Sequence, residues 1–338
     1  MIWLTWRQSR TQTLIALAVL AALAIYLLIL GNGIHDFYDS RIVGCKADNS
    51  CQTATDLFRD KYGDPVILIG ALLLGVPGLI GIFWGAPLIT RELETGTHKL
   101  VWNQSVTRTR WLAVKLIFIA LISLAIAGAF TLLLGWAVGP FDKLIGSRFS
   151  AMTFDSRDIV PIGYALFAFV LGTSIGLLIR RTLPAMAVTL AVFAAVQIVM
   201  PLAVRPHLMS PITTNVAFTA EVARSINGLG SNGGPSAGSN QPVGVFGYNK
   251  PGAWILGSPM NKLIRADGRA FTQADVRTCM TGDFSKDLSC LAKQNLHFSV
   301  TYQPGSRYWP FQWIEFSIFL ALTLALAGVC FWRIPRVV

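Results

Sequence analysis

The sequence predicts an all-α polytopic membrane protein with six transmembrane helices, both termini in the cytoplasm, and a small mixed outer domain between spans five and six. Of the 338 residues, 53% are hydrophobic and 13% are charged, whereas soluble domains carry about 25% charged residues. Six apolar runs are each long enough to cross the roughly 30 Å of a bilayer's hydrocarbon core. The basic residues gather in the loops on one side of these runs. These observations exclude a soluble enzyme, a disordered chain and a fibrous chain.

The six spans are separated by loops of very different length. The spans are predicted at residues 13–30, 66–90, 112–138, 159–179, 183–204 and 311–332. Residues 1–12 are predicted to form a cytoplasmic interfacial helix ahead of the first span. The chain then divides into 1–12, 13–204 with a cytoplasmic loop at 91–110, an extracytoplasmic domain at 205–310, and 311–338 with the last span and a cytoplasmic tail.

The orientation follows from the positions of the charges, because Lys and Arg accumulate in cytoplasmic loops. One side holds two acidic residues and eleven basic ones, which are Arg7, Arg10, Arg91, Lys99, Arg108, Arg110, Lys115, Arg180, Arg181, Arg333 and Arg336. The opposite loop at 31–65 has four basic and six acidic residues, and the loop at 139–158 has three of each. Both termini are therefore expected in the cytoplasm. The formal net charge of +11 then indicates topology, and no nucleic-acid partner is expected.

The loop at 205–310 is too long to be a simple connection between two helices. Its segment from 228 to 244, GLGSNGGPSAGSNQPVG, has low complexity. The run GAWIL at 252–256 and the Asp267-Gly268 turn are expected to form a small β-hairpin. The loop is therefore predicted to be a mixed outer domain.

Four of the five cysteines fall on the predicted outer side, where disulfides persist. We predict the two local pairs Cys45–Cys51 and Cys279–Cys290, while the crossed pairings stay open. A metal site is the weaker interpretation, because the histidines on that side lack ligand spacing. Cys330, inside the sixth span, is expected to be an ordinary small apolar residue.

The loop after the second span has the most informative residue order. Residues 91–116 read RELETGTHKLVWNQSVTRTRWLAVKL, which predicts a short mixed-charge helix, a break at Gly96 and a basic approach to the third span. Trp111 is expected at the membrane interface, and Lys115 is expected to extend its amine towards the headgroups.

This stretch resembles the first cytoplasmic loop of the permease subunits of type 2 ABC exporters, the ABC-2 family. The family pattern is an acidic E-x-G-T, a short helix, an S/T-R step and a Lys at the start of the next span. Here the pattern is met by ETGT at 94–97, by SVTR at 105–108 and by Lys115, although Gln104 stands where many members have proline. The segment YQPGSRYWPFQWIE at 302–315 looks like the start of the last span in actinobacterial members. The family's interfacial helix is matched by Trp3, Trp6 and Arg7.

The resemblance implies a permease that forms the translocation path and docks on a separate ATP-binding subunit, as a homodimer in a two-plus-two complex within a bacterial plasma membrane. ATP and Mg would bind the partner subunit, and this chain would bind no cofactor or metal and catalyse nothing. It has no G-x-x-x-x-G-K-[ST] run. The docking residues would be Arg91, Glu92, Glu94, Gly96, Thr97, Lys99 and Arg108. An outer gate at the start of the last span would use Tyr302, Arg307, Trp309, Gln312 and Glu315.

Several interpretations stay open on the residues alone. Glu315 is the only acidic residue in a predicted span. Three interpretations of it stay open: that it pairs with a base such as Arg307, that it faces the translocation path, or that it reaches the headgroups. The G-x-x-x-G pairs at 81–85 and 172–176 allow close helix packing, which is expected within one subunit rather than between two. The alternative functions are a membrane-anchored sensor or receptor that acts through the outer domain, and an ion-coupled carrier. The carrier ranks lower because ionisable residues at mid-span are lacking, and an intramembrane enzyme ranks last.

Overall fold

The computed structural model describes residues 2–45, 49–96, 107–145, 148–231, 240–257, 260–279, 287 and 290–336, and only the backbone at 2–17, 49, 50, 145 and 224. The chain divides into two compact units. The helical unit comprises Met1–Leu208 and Trp309–Val338, and the inserted unit is Met209–Tyr308.

The helical unit is built from seven described α-helices before the insertion and one after it. They are α1 Ile2–Arg41, α2 Asn49–Ile80, α3 Pro87–Glu94, α4 Arg108–Ile145, α5 Ala151–Ser156, α6 Val160–Ile179 and α7 Thr182–Val199, and the helix after the insertion runs Tyr308–Arg333. A π-helical turn, Gly81–Gly85, joins α2 to α3. Helix α7 continues into a second π-helical turn, Met200–Val204, and a 3₁₀ turn, Arg205–His207.

Six helical stretches of the described residues are long and apolar enough to cross a membrane, as predicted. They are Ala18–Arg41, Cys51–Glu94, Arg108–Leu144, Val160–Ile179, Thr182–His207 and Gly305–Arg336. The helices extend beyond the apolar runs, most of all α1 and α2, because the polar residues that flank a run also form helix. Helix α1 runs unbroken from Ile2 into the first apolar run, so the segment predicted as a cytoplasmic interfacial helix at 1–12 is helical from Ile2 onwards and continuous with the first span.

Helix α6 occupies the centre of the helical unit. Of its apolar window, 83% of the residues are buried, whereas the windows of the other five spans are between 17% and 44% buried. The outer helices expose large apolar side chains, and Leu132, Leu183 and Leu202 are each more than 70% exposed. A soluble protein rarely exposes so much continuous apolar surface, so the outward faces of these helices suit lipid.

Among the described glycines, those with the tightest contacts between helices lie where the π-helical turn Gly81–Gly85 crosses α6. A Cβ atom added at Gly172 would lie 2.3 Å from the carbonyl oxygen of Gly81, and one at Gly85 would lie 2.4 Å from that of Phe169. Only glycine leaves room for two backbones at this distance. The two G-x-x-x-G pairs therefore pack against each other within one chain, as expected.

The described residues of the inserted unit form two three-stranded antiparallel sheets. Its strands are β1 Ile212–Ala217, β2 Gly228–Gly230, β3 Gly244–Phe246, β4 Trp254–Leu256, β5 Met260–Lys262 and β6 His297–Gln303, and its described helices are α8 Ala220–Ser225 and α9 Gln273–Arg277. The sheet orders are β1-β6-β4 and β2-β3-β5. We number the helix after the insertion, Tyr308–Arg333, α10.

The core of the inserted unit is apolar and includes Val245, Leu263, Phe271 and Phe298, all fully buried. The expected hairpin between 252–256 and the Asp267-Gly268 turn is wrong in its pairing. Strand β4 pairs with β6, whereas the turn joins Ile264 to Ala270 through an isolated bridge. Part of the low-complexity segment, 232–239, lies outside the described residues.

Two disulfides are present, Cys45–Cys51 in the helical unit and Cys279–Cys290 in the inserted unit. They are the two local pairs that the sequence predicts, and the crossed pairings do not occur. Cys330 is a buried free thiol within 3.1 Å of the hydroxyl of Ser174.

Candidate functional site

The loop that follows the second span begins at α3, whose carboxylates contact two other spans. Glu92 is only 7% exposed, and its Oε1 lies 2.5 Å from Nζ of Lys115 on α4. Nζ also lies 4.5 Å from the ring centre of Trp111, which is 1% exposed. The expectation that Lys115 extends its amine towards the headgroups is therefore wrong, because the buried carboxylate of Glu92 holds the amine inside the bundle. The position of Trp111 at the interface stays a prediction.

Glu94 contacts a different helix, the start of α7. Its Oε1 accepts the backbone N–H of Thr182 at 2.8 Å, and its Oε2 accepts the Thr182 hydroxyl at 2.5 Å. A carboxylate is favourable there because the first N–H groups of a helix lack intrahelical acceptors and carry partial positive charge. The Thr182 hydroxyl also lies 3.0 Å from that of Thr90 on α3. Helix α3 is thus fixed to α4 by one carboxylate and to α7 by the other.

The remaining residues predicted for docking have different environments. Arg91 is exposed on α3, and Gly96, at φ +69°, ends that helix in the left-handed conformation that glycine favours. Arg108 donates through Nη1 to the carbonyl oxygen of Pro335, at 3.0 Å, and so joins the start of α4 to the end of the chain. Thr97 and Lys99 lie outside the described residues.

A second polar site lies buried in the helical unit where α5, α6, α10 and the 3₁₀ turn after α7 meet. The guanidinium of Arg205 donates through Nε and Nη2 to the two carboxylate oxygens of Glu315, both at 2.9 Å. Nη2 also donates to Oδ1 of Asp155, and the Tyr164 hydroxyl donates to Glu315 at 2.7 Å. Arg205 and Glu315 are fully buried and Asp155 is 3% exposed. We call these four residues the buried charge cluster.

Two further side chains hold the buried charge cluster in place. The ring centre of Phe154 lies 4.1 Å from the guanidinium carbon of Arg205, a cation–π contact. The amide of Gln312, which is fully buried, accepts the backbone N–H of Val160 and donates to the carbonyl oxygen of Phe154, both at 3.1 Å. Each buried polar group that these contacts satisfy avoids a desolvation cost of about 1–3 kcal/mol.

The residues predicted for an outer gate are divided between the two units. Gln312 and Glu315 belong to the buried site of the helical unit, and Trp309 is 48% exposed there. Tyr302 and Arg307 belong to the inserted unit. Of the three interpretations left open for Glu315, pairing with a base is the one observed, and the base is Arg205 rather than Arg307, which was named as an example.

In the inserted unit, Arg307 and Tyr302 have partners of their own. Nη1 of Arg307 donates to the carbonyl oxygen of Ser210 and to Oε1 of Gln303. The amine of Lys250 donates to the Tyr302 hydroxyl at 2.7 Å, and this hydrogen bond lowers the pKa of Tyr302. All three contacts lie within the inserted unit.

Sequence reasoning missed Asp155, Tyr164 and Arg205. The sequence did contain one indication of Arg205. This arginine directly follows the fifth span, on the predicted outer side of the membrane, where basic residues are not concentrated. An arginine at that place needs an acidic partner if the helix end is buried. Glu315, the single acidic residue of a predicted span, was the available candidate.

Six long apolar helices arranged around a buried central helix, with apolar side chains on the outer faces, define a multi-pass membrane protein. Residues 17–205 match the family model described as ABC-2 membrane transporter related, which covers more than half of the chain. The chain therefore belongs to this family and is a membrane transporter component. No curated protein and no solved structure matches it.

Proposed function

We propose that this chain is the permease subunit of an ATP-driven exporter, which forms the translocation path and receives the movement of a separate ATP-binding subunit. Membership of the ABC-2 membrane transporter related family supports the assignment to this class of transporter. The observation that carries the proposal is that α3 exposes Arg91 while its two carboxylates bind α4 and α7. A partner that contacts α3 could therefore move two spans at once.

The two kinds of residue on α3 would have different roles. Arg91 is exposed and would contact the ATP-binding subunit directly. Glu92 is buried against Lys115, so it would act as a positioning residue. Glu94 would link α3 to the start of α7 through Thr182. This assignment refines the docking set predicted from the sequence, in which all three residues had the same role.

The topology of the proposed complex follows from the basic loops. The amino-terminal segment, α3 and the end of α10 would face the cytoplasm of a bacterium, where the ATP-binding subunits and their ATP and Mg would lie. The inserted unit and both disulfides would then face the exterior, where disulfides persist. Two permeases and two ATP-binding subunits would form the complete exporter.

The first experiment is affinity purification of the full-length chain from its native membrane, with identification of co-purifying proteins by mass spectrometry. We expect a protein with a Walker A sequence at equal stoichiometry. Arg91→Glu should weaken its binding by about tenfold, as expected for an arginine at the centre of an interface. The matched control is Arg333→Glu, which reverses the charge of an exposed arginine outside the loop. This variant should bind the ATP-binding subunit as the wild type does.

The second experiment separates contact from transmission. Thr182→Val removes the hydroxyl that Glu94 accepts and keeps the shape of the side chain. It should leave binding of the ATP-binding subunit unchanged and reduce the effect of the permease on ATP hydrolysis. Purification without any Walker A protein would contradict the proposal and favour a sensor or receptor. Equal behaviour of Arg91→Glu and Arg333→Glu would contradict the role of α3.

A further inference from the structure

The buried charge cluster has an imbalance of charge. When both carboxyl groups and the guanidinium are ionised and Tyr164 is neutral, Asp155 and Glu315 contribute two negative charges and Arg205 contributes one positive charge. Arg205 and Glu315 are fully buried, and Asp155 is 3% exposed. An uncompensated charge in such a place is unfavourable, and a buried carboxyl group commonly takes up a proton instead.

The hydrogen bonds distinguish the two carboxyl groups. Glu315 accepts three hydrogen bonds, from Nε and Nη2 of Arg205 and from the hydroxyl of Tyr164. Asp155 accepts one within the described part of the chain, from the same Nη2 that serves Glu315. Charged acceptors attract more donors than neutral ones. The geometry therefore makes Glu315 the ionised group and Asp155 the neutral one.

The second terminal nitrogen of the guanidinium supports this assignment. Nη1 of Arg205 is buried and has no acceptor among the described residues. An ionised Asp155 would be expected to form the two-point contact typical of arginine and carboxylate, using both terminal nitrogens. It contacts Nη2 alone, as a neutral acid can.

The surroundings of Asp155 act in the same direction. The pKa of Asp155 is raised to about 7, because burial, the largest cause, and the charge of Glu315 together outweigh the charge and hydrogen bond of Arg205, which lower it. On its own segment, Arg157 donates to Asp142 and to Ser156.

Two other helices also pack on α5. Helix α6 contributes Tyr164, whose hydroxyl is engaged by Glu315. Helix α2 approaches α5 at Gly70, near the Ser156 hydroxyl, and Asp64 is the nearest charged residue of α2 along the chain from Gly70. Among the described residues, Arg205 is the cation whose charge acts on the carboxyl group of Asp155.

We propose that the buried charge cluster is a proton-binding site in which Asp155 holds the proton and Glu315 alone balances the charge of Arg205. The proton allows α5 to pack against the turn after α7 and the start of α10. Its loss places a second negative charge beside Glu315 and weakens the contact of α5. The site is independent of the proposed coupling to an ATP-binding subunit.

The direct test is infrared spectroscopy of the purified full-length chain in lipid, with aspartate labelled by ¹³C at the side-chain carboxyl group. At pH 6 we expect a carbonyl band from a protonated acid that shifts with the label and in D₂O. It should disappear with a midpoint near 7 rather than near 4. Asp155→Asn should lack the band. The matched control Asp142→Asn, which removes another carboxylate paired with an arginine, should keep it.

A second variant separates proton binding from a purely structural role. In Glu315→Gln the charge of Arg205 is balanced by Asp155 alone, so Asp155 should ionise and the band should vanish at pH 6 although Asp155 is intact. If the wild-type band is absent at pH 6, or persists in Asp155→Asn, the proposal is wrong. A band that Glu315→Gln leaves unchanged would also overturn it.

Discussion

At the close contact between the π-helical turn Gly81–Gly85 and α6, the interatomic distances allow us to predict how much a glycine substitution lowers the free energy of unfolding. In Gly172→Ala, the new Cβ would lie 2.3 Å from the carbonyl oxygen of Gly81 and 2.8 Å from the backbone nitrogen of Ala86. Both neighbours are backbone atoms, so no change of side-chain rotamer relieves the contact. The helices themselves have to separate.

The separation required sets the magnitude. The contact has to lengthen by about 0.7 Å before it reaches 3.0 Å, the lower limit of real Cβ contacts. Added methyl groups in a well-packed interior cost about 1–3 kcal/mol. Because the obstruction is backbone on two sides and α6 is the most buried span, we expect Gly172→Ala to lower the free energy of unfolding by about 2–3 kcal/mol.

The assay measures unfolding of the purified chain by circular dichroism, with the same detergent for all variants. Gly75→Ala on α2 is the matched control, because its Cβ would meet no atom within 4 Å, and it should unfold like the wild type. Equal unfolding midpoints for Gly172→Ala and Gly75→Ala would refute the close backbone contact.

Three further predictions concern charges and the disulfide of the inserted unit. Lys115→Met leaves Glu92 buried and should destabilise the chain by about 3–5 kcal/mol, whereas adding Glu92→Leu should restore most of that loss in a double-mutant unfolding cycle. Cys290→Ser opens the second disulfide and should cost about 2–4 kcal/mol, measured by hydrogen exchange of the inserted unit. A backbone hydrogen bond from Thr272 lowers the pKa of Asp275, so its contribution to stability is present above about pH 4 and is lost as the pH falls through that lowered pKa. Hydrogen exchange of α9 should therefore distinguish Asp275→Asn from the wild type at pH 6, and the difference should shrink at low pH.

The parts of the structure that the sequence predicts are those set by local order. Each span follows from one continuous apolar run, and the end of α3 follows from Gly96. The disulfides join cysteines only 6 and 11 positions apart. In each case the interacting residues are neighbours in the chain, so composition and spacing are sufficient.

The parts that were missed depend on residues far apart in the chain. Arg205 and Glu315 are separated by 110 positions, and no periodicity relates them. Lys115 was expected to point outwards because its position near a helix end permits that direction, and only the arrangement of α3 supplies Glu92 as an inward partner. Likewise, β4 pairs with β6 across more than 40 residues, which turn patterns cannot indicate.

The contact between Arg205 and Glu315 also bears on how the chain accommodates a long insertion. Closing a flexible loop costs conformational entropy that grows with its length, and Met209–Tyr308 separates α7 from α10 along the chain. A buried two-point ion pair joins the two helix ends within the helical unit itself. The insertion is therefore not required to bring its own attachment points together. Substitutions within the insertion are therefore expected to leave this contact intact, because the four residues of the buried charge cluster all lie outside Met209–Tyr308.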